Sequence, residues 1–141
     1  MGLTLGRQAF PVIFVCLGLQ SLLFPFGGLA VLGVNAFNLG LPALAAGLLL
    51  GRPAGRRGRI GDAAAFLAGF LATGASQLLL CGSFALSDAL AGARLPTLLG
   101  TGFLLAVLEG LITLSGVRFL RRAAPNMLAV PPVEPPESGS A

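Results

Sequence analysis

The residues able to do chemistry are sparse, and most stand alone among apolar neighbours. Glu109 is a carboxylic acid set inside a long apolar run, more than two helical turns ahead of Arg118. A charge near the centre of a bilayer costs on the order of 3 kcal/mol on insertion scales, so such a side chain faces a protein seam or a cavity. Gly102, Ala106, Thr113 and Gly116 recur around it at helical spacing. Small residues on one face let helices approach closely, which predicts that Glu109 points into a tight helix–helix seam with Thr113 beside it. There it is a structural hydrogen-bonding carboxyl or a group that couples transport.

Amides are the second resource. Asn35 and Asn38 lie three residues apart and share a face of a helix. Four glycines, Gly27, Gly28, Gly33 and Gly40, accompany them. Such a stretch makes a poor continuous span, and irregular backbone at membrane depth is tolerated only under protein cover or beside a cavity. The expectation is a broken helix near residues 25–40 with its amides turned inward, as the wall of a pocket. Gln20 and Gln77 are further intramembrane amides suited to bonds across helices.

Other chemistry is missing from the sequence. It contains no histidine, and Cys16 and Cys81 sit in apolar runs without a CxxC spacing, as plain small hydrophobes do. No paired intramembrane carboxylates, Walker A sequence or nucleophile elbow occurs. The expectation is a protein without catalytic residues, cofactor or metal ligands of its own.

The elements that must position these groups follow from composition. Of 141 residues, 55% are hydrophobic and 10% charged, with a mean hydropathy of +0.91. Residues 8–51 carry no charged side chain at all. A bilayer span takes about 20 apolar residues, so that run holds two. Four spans are predicted, at 8–24, 29–50, 63–86 and 96–117. Pro25-Phe26-Gly27-Gly28 divides the first two, an arginine-rich loop at 51–61 joins the second and third, and a turn at 87–94 precedes the fourth. The fold class is an all-α integral membrane bundle.

All nine basic residues are arginine. With four spans, Arg7, Arg52, Arg56, Arg57, Arg59, Arg118, Arg121 and Arg122 fall on one side and Arg94 on the other. Positive charge accumulates on cytoplasmic loops, so both termini are expected there, in the cell membrane. Arginines at span ends act as topology anchors and not as a nucleic-acid surface. Residues 1–122 form the membrane domain. Residues 123–141, with five prolines and little apolar surface, are expected to be a disordered cytoplasmic tail.

Gln20-Ser21-Leu22-Leu23-Phe24, followed by the glycine and asparagine stretch to Gly40, resembles the CbiM/NikM family. These are substrate-capturing membrane subunits of energy-coupling-factor transporters for cobalt and nickel. The family pattern reads approximately QALLFxxGGxxxLGxNxFNMG. Glu109-Gly110-Leu111-Ile112-Thr113 is similar to its EGxxT, and Pro125-Asn126-Met127-Leu128 to its closing RPDLL. Leu39 stands where the pattern has Met, and Phe26 where an acidic residue is common. The family's H-I-x-[DE]-G start and its further histidine stretch, which supply the metal ligands, have no counterpart in a sequence lacking histidine.

The resemblance implies the membrane component of an ABC-type transporter for cobalt or nickel, working with ATPase subunits and a coupling transmembrane subunit. It implies that Asn35, Asn38, Gly33 and Gln20 support the substrate pocket, and that Glu109 and Thr113 hold the seam or transmit coupling. Cobalt and nickel favour imidazole and amide nitrogen. The chain is therefore expected to be incomplete, to need a separate N-terminal metal-binding segment, or to be a divergent relative that handles something else. Two alternatives are a small structural or assembly membrane protein of a larger complex, and a homodimeric exporter with Glu109 as its coupling carboxylate. The exporter would want a carboxylate in an early span, and none is there.

Overall fold

The computed structural model describes residues 2–23, 32–86, 94–124 and 128. Two short pieces, α1 (Gly2–Leu5) and a 3-10 turn (Gly6–Gln8), lead into α2 (Ala9–Leu23). Three long helices follow: α3 (Leu32–Gly55), α4 (Arg59–Leu86) and α5 (Arg94–Ala123). No strand occurs among the described residues, so the architecture is all-α. The helices α3, α4 and α5 are each long and apolar enough to cross a membrane. At 1.5 Å per residue, even the 24 residues of α3 extend past a hydrocarbon core of about 30 Å. The 15 residues of α2 make a shorter apolar helix.

The predicted spans fall on α2 to α5, with one difference at the arginine-rich connection. A loop was expected over 51–61, but helix occupies all of it except 56–58. Gly58, at φ +100°, supplies the left-handed residue that lets α3 turn back into α4. The amide of Asp62 donates to the Gly58 carbonyl at 3.0 Å, closing the first turn of α4. The break expected near 25–40 falls partly on residues that the structure does not describe. Residues 32–40 are regular helix, and the rest of that stretch lies outside the described residues.

Helix α4 packs between α3 and α5. Its buried face consists of Gly61, Ala64, Ala65, Ala68, Gly69 and Cys81, so the axes lie close. Leu3, Ala54, Val117 and Leu128 complete the core cluster. Leu128 is 6% exposed and lies in this cluster, while residues 125–127 and 129–141 of the expected disordered tail lie outside the described residues. The apolar Leu128 side chain shares a cluster with Leu3 and Val117. Large side chains such as Leu49, Leu78, Leu104 and Phe119 point outward, as a lipid-facing surface requires.

Helices α4 and α5 approach closely at Gly69. A Cβ there would strike the main-chain oxygen of Glu109, at 2.6 Å, and the Thr113 side chain. At Gly102 a Cβ would meet the movable Gln77 side chain, and at Gly116 it would meet nothing. Gly69→Ala should therefore destabilise the bundle by about 1–3 kcal/mol, the ordinary cost of overpacking. Gly116→Ala should be neutral or stabilising by up to about 1 kcal/mol, since alanine is the better helix former. Thermal unfolding in detergent followed by circular dichroism checks this pair; equal midpoints would mean the helices do not meet at Gly69.

Candidate functional site

The sequence pattern that seals α5 against α4 also determines where Glu109 can go. Gly102, Ala106, Gly110 and Val117 are buried, and Thr113 is half-buried, so these form the contact face. Gly110 lies against the Phe66 ring. Glu109 sits at the edge of that face. Its main-chain oxygen abuts Gly69, while its side chain is exposed in place of being enclosed in the seam expected for it. Gly116, expected on the same face, is exposed as well. An α-helix turns 100° per residue, so a face shared by 102, 106, 113 and 117 leaves 109 and 116 together on one flank.

Glu109 lines a hollow of about 300 Å³. Helix α3 contributes Leu39, Ala43 and Ala46; α4 contributes Thr73 and Ser76 beside its alanines; α1 and α2 contribute Gly2, Leu3 and Ile13. Glu109 and Thr113 line it together, so the structure brings these two residues to one site. The walls are small because the helices are packed on Ala and Gly, and the polar groups are one carboxyl and three hydroxyls. These are hard oxygen donors, suited to protons, water or hard cations more than to first-row transition metals. No described residue makes a hydrogen bond with the Glu109 carboxyl.

The amides are placed elsewhere. Asn38 is 6% exposed, and its Nδ2 donates to the Ser83 hydroxyl of α4 at 3.4 Å. That hydroxyl donates in turn to the Leu79 carbonyl at 2.9 Å. Pro42 lies four residues after Asn38 in the same helix and has no N–H to give the Asn38 carbonyl. Both the side chain and the main chain of Asn38 are thus polar features in an apolar helix. Asn35 is half-buried, whereas Gly33 and Gln20 are exposed, and a Cβ on Gly33 would meet nothing. None of these four lines the hollow. Gln77 holds α4 to α5, with Nε2 donating to the Leu98 carbonyl at 3.1 Å.

One residue group escaped the sequence reading. Asp62 accepts hydrogen bonds from Arg118 (2.6 Å) and Arg121 (2.7 Å), while Arg121 also donates to the Ala54 carbonyl from Nη2 (2.6 Å) and Nε (3.0 Å). An acid in the first turn of one helix and arginines in the last turn of another are each common at span ends. Their pairing across 56 or more positions of sequence left no local signal. Among the described residues no group of three His, Cys, Asp or Glu side chains is assembled that could hold a metal.

Residues 1–127 match the family model described as CbiM, cobalt uptake substrate-specific transmembrane region. The chain belongs to this family. A Haemophilus influenzae protein whose name assigns it to metal transport is 49% identical over 45 residues, covering 32% of this chain and 22% of that relative. The match therefore spans less than a quarter of the relative's length. No solved structure matches the chain. CbiM proteins are membrane components of multi-subunit transporters and not an enzyme family, and the chain is a multi-pass membrane protein.

The Asn38 contact and the unpartnered Glu109 carboxyl make opposite expectations. Asn38→Ala should lower stability by about 0.5–1.5 kcal/mol, the usual range for an intramembrane hydrogen bond plus a small cavity. Glu109→Gln should stay within about 0.5 kcal/mol of wild type, because no folded partner is lost. Chemical denaturation in detergent compares the two. A larger loss at Glu109 than at Asn38 would show that the carboxyl is engaged in the packed bundle.

Proposed function

We propose that this CbiM-family chain is the membrane component of an energy-coupling-factor transporter that takes up cobalt or nickel. ATP hydrolysis would occur on a separate ATPase pair, joined to this chain through a coupling transmembrane subunit. The observation that carries the reading is the family match over residues 1–127. Three long apolar helices and the absence of a recognisable catalytic motif accord with it.

Metal capture calls for donors this chain does not possess. Cobalt and nickel favour imidazole, and the sequence has no histidine. The two thiols are dispersed, with Cys16 exposed and Cys81 buried. The imidazole ligands therefore come from a complementing segment or subunit. In this reading Asn38 and Asn35 orient the pocket wall from α3, as polar groups behind metal ligands do. Glu109 and Thr113, in the hollow between α3, α4 and α5, transmit the coupling step. The protein lies in the cytoplasmic membrane with the 56–58 turn and both termini inside, on the eight-to-one distribution of arginine.

Titration of the purified chain with cobalt or nickel should give weak binding, with Kd above about 10 μM, since affinity requires correctly held deprotonated donors. Co-expression with a histidine-bearing N-terminal segment of a CbiM protein should tighten it, and Asn35→Ala/Asn38→Ala should then weaken it by about 10-fold. Tight binding by the chain alone would refute the complementation account. For orientation, reporter fusions at Arg57 and Ala91 should report inside and outside respectively; an exported signal at Arg57 would reverse the assignment.

A further inference from the structure

We propose that the arginine-lined hollow at the α3–α4 turn is a binding site for the phosphate headgroup of an anionic phospholipid. The cavity is about 480 Å³ and is lined by Arg57, Gly58, Asp62, Arg118, Arg121 and Arg122. Four guanidiniums surround one carboxylate. Both oxygens of Asp62 are already taken, one by Arg118 and the other by Arg121. Among the described residues, three positive charges in the cavity remain uncompensated. Arg57 and Arg122 form no ion pair with any described residue and are exposed.

This arrangement differs from a scatter of anchoring arginines in being held. Arg121 is 6% exposed and fixed at both ends, to Ala54 and to Asp62. Asp62 in turn holds Arg118 through two donors, Nε at 3.1 Å and Nη2 at 2.6 Å. A guanidinium pinned by a carboxylate keeps its remaining N–H groups aimed in a fixed direction, and planar guanidinium forks match phosphate oxygens bidentately. The concavity therefore presents preset donors from Arg118, with Arg57 and Arg122 free to close on an anion.

The surface next to the cavity favours a phosphate borne on lipid over a soluble one. Going into the membrane from Arg122, the same side of α5 carries Phe119, Ser115, Ile112, Leu108 and Leu105, at steps of three and four residues. All are exposed, Phe119 at 68%. Beside Ser115, Gly116 offers no side chain and nothing stands within contact distance of it. An acyl chain can lie along this stripe while its headgroup sits among the arginines. Basic pockets between transmembrane helices at a membrane surface bind anionic headgroups by this combination.

The test uses the full chain in neutral detergent with phosphatidylglycerol, phosphatidylcholine or inorganic phosphate added. Phosphatidylglycerol should raise the unfolding midpoint by about 5 °C, as expected for a ligand well above its Kd. Phosphatidylcholine should not. Arg57→Gln/Arg122→Gln should abolish the shift and the lipid adduct in native mass spectrometry, while leaving the lipid-free midpoint unchanged, since neither residue pairs with a described residue. Arg52→Gln/Arg59→Gln removes the same charge outside the cavity and should retain the shift. Loss of the shift in both double variants would reduce the effect to general charge attraction and overturn the site. An equal shift with millimolar inorganic phosphate would overturn the lipid source, and no shift with phosphatidylglycerol would overturn the proposal.

Discussion

The Arg121 guanidinium is the point at which three helices are tied. It lies 6% exposed at the end of α5, where an unpaired buried charge would be strongly unfavourable. The fold resolves this by bringing two different acceptors to it. The Ala54 carbonyl belongs to the last turn of α3, where carbonyls have run out of helical donors. Asp62 belongs to the first turn of α4, where a negative charge is favoured by the helix dipole. One side chain thus satisfies a helix end, neutralises an acid and neutralises itself. The short 56–58 turn with its left-handed Gly58 is what sets those two acceptors side by side.

From that tied end the helices run into the bilayer at a separation set by alanine and glycine. With Ala64, Ala65, Ala68 and Gly69 on α4 and Ala106 and Gly110 on α5, no large side chain holds the axes apart. Close axes bury little volume, which leaves the larger apolar residues to face lipid. They also leave no room for a charged side chain within the contact itself. Glu109 is consequently displaced to the flank, where small residues of α3 and α4 leave a hollow. The same packing rule thus accounts both for the tight seam and for the open polar site beside it.

Polar groups inside the bundle divide into two kinds. Asn38 and Gln77 are committed to bonds that join α3 to α4 and α4 to α5. Glu109 has no such commitment among the described residues, and it shares its hollow with the hydroxyl-bearing residues Thr73, Ser76 and Thr113. Structural amides thus hold the helices together, while the carboxyl has no partner among the described residues.

Much of the fold was legible in the sequence because lipid imposes long-range composition on a chain. Uncharged runs such as 8–51, broken by proline, glycine and arginine, locate α2 to α5 without reference to any contact, since length and hydropathy are local properties. The family followed from two motifs at 20–40 and 109–113 for the same reason. What the sequence could not determine was rotation and pairing. A helix period places Glu109, Ala106 and Thr113 near one another but does not say which of them meets the neighbour. That depended on where Gly69 of α4 came to rest against the backbone. Likewise, the arginines at 118–122 read as anchors until α3 and α4 placed Ala54 and Asp62 within reach. Composition alone committed the chain to a helical membrane bundle with eight of its nine arginines expected at one end. Only tertiary packing turned one arginine into a helix clasp and left Glu109 lining a hollow, because both outcomes depend on distances between residues far apart in the chain.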